Sequence, residues 1–287
     1  MHSIHRRCAI ACALFIAIAP LSPAQITKGE WTLGRSADPA KLRFSLQSSW
    51  DGGNHFSSSS DWNPADFHGL DLSNTSRHDV RFTIARDAGQ IECEGFLKDA
   101  EGAGLFTFHP NPQYTAQMAA AGFPGITGDR QFAFALHDVS VSFAQEMKNL
   151  GIQSLDADKL IAFRIHGVSP DFVRSLRAAG VNSPDADKLI AFRIHGVSPE
   201  FVKDLRSANI SVTDPDKLIA FRIHGVSPEF VKDLARLGYQ HPDPNQLIAL
   251  RIPRRHARVH RRPPLPRHAR PHARSVSRPP HPGHKLI

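Results

Sequence analysis

From residue 158 onward, hydrophobic positions come in short bursts at helical spacing, each stopped by a glycine and restarted by Ser-Pro. Phe201, Val202 and Leu205 fall on one face of a helix, with polar residues between them. The bursts are copies of one another. The segment DKLIAFRIHGVSP occurs unchanged from Asp158, Asp187 and Asp216, and a fourth copy of its first half, NQLIALRI, begins at Asn245. The spacing is 29 residues, and it extends toward the N-terminus through the aromatic positions Tyr114, Phe143, Phe172, Phe201 and Phe230. The turn positions Gly122, Gly151, Gly180, Asn209 and Gly238 keep the same register.

Each unit reads as two short helices. Ser183 or Asp214 caps the first, with Pro184 or Pro215 at its first position, where a missing N–H does no harm. Gly167, Gly196 and Gly225 end it, because a helix C-cap calls for the left-handed conformation. Val168, Val197 and Val226 then fold back on the last turn. Ser169, Ser198 and Ser227 cap the second helix, Pro170, Pro199 and Pro228 open it, and Asp171, Glu200 and Glu229 favour its positive dipole end. Helices of about nine residues are marginal alone. Their burial must come from neighbouring units, which is the logic of a solenoid.

Residues 25–110 alternate with period two instead. Val80 to Ile84, Gln90 to Phe96 and Leu105 to Phe108 read as strands of a β-meander, separated by Gly-containing turns at Asp87-Ala88-Gly89 and Glu101-Gly102. Residues 51–63, rich in Ser and Gly and flanked by Trp50 and Trp62, read as a loop whose aromatic residues anchor a small sheet, with a ligand edge as the alternative reading. The predicted fold is therefore α+β. A small N-terminal antiparallel β domain, residues 25–110, precedes an α-solenoid of 29-residue two-helix repeats over residues 111–252.

The two ends of the chain change the picture of location and charge. A basic start at Arg6 and Arg7, an apolar run over residues 8–19 and a Ser-Pro-Ala stretch predict a signal peptide, residues 1–24, cleaved after Ala24. That run is too short to span a bilayer, which needs ~20 apolar residues. The mature chain is thus expected to be exported, periplasmic or extracellular, with no transmembrane span. Cleavage removes Cys8 and Cys12 and leaves Cys93 without a disulfide partner. The formal charge of +8 arises mainly at the C-terminus, since residues 253–287 carry ten Lys or Arg and no acid. Residues 25–252 hold 23 basic against 27 acidic residues, near −4, and offer no electrostatic footprint for phosphate binding.

Four histidines, His137, His166, His195 and His224, recur once per unit and raise the question of a metal. Equivalent positions on stacked helices lie too far apart to converge within about 2 Å of one ion, whereas a His in the last turn interacts well with the negative dipole end. No Ser/His/Asp or Cys/His set stands out from the repeated neighbours. No catalytic, cofactor-binding or metal residue is assigned, and an enzyme is not expected. Arg164, His166, Arg193, His195, Arg222 and His224 are the candidate contacts for a protein or peptide partner, although the same arginines also read as a solvated charged stripe. Gly167, Gly196 and Gly225 are assigned to the turns.

The run Arg86-Asp87-Ala88-Gly89, then Glu94-Gly95-Phe96, Gly102-Ala103-Gly104-Leu105-Phe106 and Asn111-Pro112, followed by Ile-His-Gly-Val-Ser-Pro-Glu-Phe repeats, resembles a group of secreted bacterial tandem-repeat proteins. The resemblance covers residues 29–252. In some members of that group the module follows a membrane zinc peptidase of the antibiotic-sensor type, which implies an extracytoplasmic sensing or interaction module. The peptidase is not expected in this chain, which has no His-Glu-x-x-His. The order helix, Gly-Val-Ser-Pro, helix is also similar to the helix-hairpin-helix modules of exported competence DNA receptors, and this supplies the alternative of an exported nucleic-acid-binding protein. Those hairpins carry two glycines around one apolar residue. Here Ser169, Ser198 and Ser227 replace the second glycine, which argues against close approach to phosphate.

The fourth unit breaks off after Ile252, where the register calls for His-Gly-Val-Ser-Pro and the chain gives Pro253-Arg254-Arg255-His256-Ala257. One cytosine inserted after the Ile252 codon of a message for Ile-His-Gly-Val-Thr-Pro-Glu-Phe-Ile reproduces Ile252 to His260 without a mismatch. Residues 253–287 are accordingly expected to be a disordered tail produced by a frameshift. The competing reading is a polybasic arm that binds anionic surfaces by charge.

Overall fold

The structure is a computed structural model that describes residues 27–49, 55–182, 185–239 and 243–252. The signal peptide expected over residues 1–24, Trp50, the cap expected at Ser183-Pro184 and the basic tail lie outside the described residues. Six strands, β1 (Lys28–Arg35), β2 (Leu42–Ser49), β3 (His55–Trp62), β4 (His78–Arg86), β5 (Gly89–Lys98) and β6 (Glu101–Pro110), form one antiparallel sheet in the order β3-β2-β1-β6-β5-β4. Two three-stranded meanders are thus joined side by side along β1 and β6.

Period-two alternation sorts the side chains. One face carries Trp31, Phe44, Phe82, Ile91, Cys93, Phe106 and Phe108, all buried, while Glu30, Arg43, Arg81, Glu94 and Leu105 stand on the other. The segment that crosses from β3 to β4 lays Phe67 against Phe44, Trp62 and Phe82, with ring centroids 5.1, 5.9 and 5.6 Å apart. Offset and edge-on rings of this kind add to the burial of large aromatic areas. Trp31 lies over two glycines: a Cβ at Gly95 or Gly104 would meet its ring at 2.8 or 2.7 Å. The indole N–H donates to the Glu94 carbonyl at 3.1 Å.

Two details of the sheet correct the sequence expectations. The Ser-rich stretch assigned to a loop is, over His55–Trp62, the edge strand β3, paired with β2 along its length. An edge strand pairs on one side only, and serines suffice there because Phe56 and Trp62 carry the apolar packing. The chain also reverses between β5 and β6 at Asp99 (φ 53°) and Ala100 (φ 61°), not at Glu101-Gly102. Two consecutive left-handed residues make the tight hairpin turn that matches strand twist. Gly102 instead sits within β6, opposite Leu97, where a Cβ would lie 2.0 Å from the Phe96 carbonyl oxygen.

Among the described residues ten helices follow: α1 (Tyr114–Ala120), α2 (Gly128–Leu136), α3 (Val141–Asn149), α4 (Ala157–His166), α5 (Pro170–Ala178), α6 (Ala186–His195), α7 (Pro199–Ser207), α8 (Pro215–His224), α9 (Pro228–Arg236) and α10 (Pro244–Arg251). Their caps show why they start and stop where they do. Ser140, Ser169, Ser198 and Ser227 accept hydrogen bonds from the N–H groups of Phe143, Phe172, Phe201 and Phe230 at 3.1 to 3.2 Å. Gly167, Gly196 and Gly225 adopt φ near 70°, and the following valines donate to the Phe163, Phe192 and Phe221 carbonyls at 2.8 Å. This is a Schellman closure with its apolar contact. The cap of α6 is Asp185, which accepts from the Lys188 N–H at 2.9 Å, so that helix starts two residues later than Ser183 would place it.

Like packs on like. α4, α6, α8 and α10 contact one another in succession, and α1, α3, α5, α7 and α9 do the same. Leu160, Leu189, Leu218 and Leu247 are fully buried at 29-residue intervals, as are Phe163, Phe192 and Phe221. The turn residues Gly122, Gly151, Gly180, Asn209 and Gly238 all have positive φ, so the period holds in the backbone as well as in the residue types. At the other end α2 packs on β5 and β6. Phe132 stacks on Phe106, with centroids 5.7 Å apart, and the buried Gln131 amide donates to the Ala88 and Asn111 carbonyls at 2.7 and 2.8 Å. Sheet and helices belong to one compact unit that ends at Arg251.

Candidate functional site

The arginines singled out in the repeats sit on the last turns of α4, α6 and α8 and reach back one unit. The Nε of Arg164, Arg193 and Arg222 donates to the carbonyl of His137, His166 and His195 at 3.0, 3.1 and 3.3 Å. Arg251, one unit further, does the same to His224 at 3.3 Å. Each guanidinium also covers an aromatic ring of the unit before it. Arg193, Arg222 and Arg251 lie 4.9, 4.8 and 4.9 Å above Phe172, Phe201 and Phe230, and Arg164 lies 5.3 Å above Phe143. One side chain thus satisfies a carbonyl at the helix end and makes a cation–π contact. Arg251 has the same register as the other three and was missing from the sequence candidates.

A second ladder runs in the opposite direction. Arg130 pairs with Asp158 at 2.9 Å, Lys159 with Asp187 and Lys188 with Asp216, and Lys217 donates to the Asn245 side chain. These pairs are exposed, where a single bridge contributes at most about 1 kcal/mol. Their value is registry, since each ties a fixed position of one unit to a fixed position of the next.

Around the arginines the surface repeats too. Ile165, Ile194 and Ile223 are 55, 58 and 56% exposed, unusual for isoleucine at a fixed position in three successive units. His166 and His195 are exposed beside them, and His224 is half-buried. The first unit departs from this pattern. Its equivalent of Ile165 is Leu136, which is buried. His137 is half-buried, and burial followed by the neighbouring Arg164 charge lowers its pKa. Asp138, with φ 53°, stands where the later units have Gly167, Gly196 and Gly225. Its carboxylate pairs with Arg164 and also approaches the Arg86 Nε at 3.4 Å. A cleft of about 530 Å³ lies between this unit and the β3 edge, lined by Ser58, Trp62, Leu136, His137, Arg164 and Ile165 among others.

Other groups with chemical potential are committed elsewhere. Cys93 is buried, and burial pushes its thiol pKa well above the ordinary range, so the reactive thiolate is suppressed. The Tyr114 hydroxyl donates to the Val139 carbonyl at 2.6 Å, and burial raises its pKa. Among the described residues no group of three or more His, Cys, Asp or Glu is placed to hold a metal ion. No described helix is long and apolar enough to cross a membrane. The open face of the sheet holds a cleft of about 750 Å³ lined by Glu30, Thr32, Arg81, Glu94, Phe96 and Leu105. Arg81 and Glu94 pair across it at 3.2 Å.

The comparisons add no relative: no family model matches the chain, and no curated protein and no solved structure does either.

Proposed function

We propose that residues 111–252 form an α-solenoid of 29-residue two-helix units, and that this solenoid is a non-enzymatic, extracytoplasmic binding or sensing module for a protein or peptide partner. The observation that carries this reading is the row of exposed Ile165, Ile194 and Ile223, held in register by the arginine and lysine ladders. Single exposed apolar residues are ordinary, but apolar residues aligned on stacked helices make a continuous stripe, and such stripes mark interaction surfaces. The likeness of the repeats to secreted bacterial tandem-repeat proteins supports the same reading, as does the signal peptide expected over residues 1–24 for export.

The test is site-specific photo-crosslinking in the exporting cell. A photoreactive residue at Ile194 should give a discrete adduct with another protein. The same residue at Lys203, exposed on α7, should give little. Equal, diffuse labelling from both positions would remove the stripe as a binding surface.

A further inference from the structure

The arginine ladder contains an internal comparison that identifies the chemistry of the partner. In every unit the guanidinium is fixed by its Nε bond to a carbonyl and by the ring beneath it, so its outer N–H groups point in a set direction with little freedom left to lose. In the first unit those groups are satisfied by the Asp138 carboxylate. In the later units the residue at that register is glycine, and a Cβ at Gly167 or Gly196 would lie only 2.9 Å from the Nη2 of Arg193 or Arg222. Of the four guanidinia, only Arg164 has a carboxylate partner among the described residues. Arg193, Arg222 and Arg251 therefore present the same prearranged fork without the anion that the first unit supplies to Arg164.

We propose that Arg193, Arg222 and Arg251 receive carboxylates of an extended acidic peptide that lies across the ends of α4, α6, α8 and α10, with Ile165, Ile194 and Ile223 against its apolar side chains. This inference rests on the binding-module reading above and names its partner class. Charge complementarity selects the anion, since a planar fork matches a carboxylate in two-point geometry. The isoleucines select a peptide over a polyuronate or a nucleic acid, whose anionic backbones carry no apolar side chain to meet them. The spacing selects the conformation. Packed helices sit about 8–10 Å apart, and a polyproline II chain advances about 9 Å per three-residue turn. A strand instead presents one face every ~6.8 Å. The partner thus carries Asp or Glu at every third residue, and its path ends at the first unit, where Asp138 already fills the fork and Leu136 is covered.

The probe is a fluorescein-labelled peptide of four Asp-Ile-Pro triplets, titrated with the full mature chain and followed by fluorescence anisotropy. Comparators are the Lys-Ile-Pro version, a single-stranded DNA dodecamer and polygalacturonate. The acidic peptide should bind, and added salt should weaken it. Two double variants separate recognition from folding. Arg193→Gln with Arg222→Gln removes the forks, while Gly167→Asp with Gly196→Asp copies Asp138 and fills them from within. Each should weaken binding about tenfold or more, and the aspartate variant should keep its helical circular dichroism. Unchanged affinity in that aspartate variant would overturn the proposal, as would tighter binding of DNA or polygalacturonate. Equal binding of the Lys-Ile-Pro peptide would overturn the carboxylate assignment and leave the isoleucine stripe standing as a peptide surface. Failure of both peptides, together with no adduct from Ile194, would remove the binding-module reading itself.

Discussion

The sheet and the helical units hold their residues in different ways. In the sheet, contacts span the chain: β1 pairs with β6, Trp31 packs over Gly95 and Gly104, and Phe67 closes a cluster with Phe44, Trp62 and Phe82. In the helices nearly every tertiary tie reaches one unit away, Arg193 to His166 or Lys188 to Asp216 for example. The two meanders pair only along β1 and β6, so damage to that seam reaches both halves of the sheet. Units that touch only their neighbours tolerate local loss. The difference also assigns the work: the sheet covers one end of the helices through Phe132 and Gln131, and the helices present the repeating surface.

The largest expected effect is in the sheet. Gly104→Val would put a Cβ 2.0 Å from the Glu94 carbonyl oxygen and 2.7 Å from the Trp31 Nε1. Backbone on one side and a fully buried ring on the other leave nowhere to yield. A loss of about 4 kcal/mol or more is expected, seen as collapse of the near-ultraviolet dichroism. A smaller loss would mean that the sheet flexes more than its packing suggests.

Deletions probe the other half of the comparison. Removing one 29-residue unit, residues 187–215, should leave a folded helical protein of modestly lower melting temperature, because the new neighbours present the same contacts. Removing residues 187–200 alone should be far more damaging, since it takes out α6 and the start of α7 and leaves α5 followed by another second helix, with no first helix between them. Circular dichroism and melting curves that do not distinguish the two would contradict nearest-neighbour packing.

Point changes within one unit should be milder. Gly196→Val forces a β-branched residue into φ 70° and brings a Cβ within 2.9 Å of the Arg222 Nη2. A cost of about 1–2 kcal/mol follows, whereas Lys203→Ala should stay within about 0.5 kcal/mol. Chemical denaturation of the two variants makes the comparison. The smallest effect is electrostatic. Hydrogen bonds from its own N–H and from Ser198 hold the Glu200 carboxyl below the usual range, and Glu229 with Ser227 repeats the arrangement. A depressed carboxylate contributes stability above its unfolded value, and that contribution is lost as pH falls through the folded value. Acidification below the ordinary Glu range should therefore lower the melting temperature slightly more in the parent than in Glu200→Gln with Glu229→Gln.

What could be read in the sequence followed from which residues answer local demands. Gly167, Gly196 and Gly225, the capping serines and the prolines after them serve requirements within one or two turns, and repetition made those requirements visible. The strands Val80 to Ile84 and Gln90 to Phe96 were legible because their alternation is long and regular. Residues 55–62 were not, since an edge strand filled with serine has the composition of a loop and is defined by β2, which pairs with it. The role of the arginines was hidden for a related reason: the carbonyl that each one meets lies 27 residues earlier, so charge alone suggested a solvated stripe. A usable signal did exist. Aligning the units places Asp138 over Gly167, Gly196 and Gly225, and that single departure marks the unit whose fork is filled.

Native-state hydrogen exchange tests the contrast between sheet and helices most directly, with Gly196→Val set against Gly104→Ala. Gly196→Val should raise exchange in α6, α7 and the helices packed on them while β1 and β4 to β6 keep their protection. Gly104→Ala should raise exchange across all six strands at once. A uniform rise through strands and helices alike in Gly196→Val would show that the chain unfolds as one cooperative block and would contradict the account.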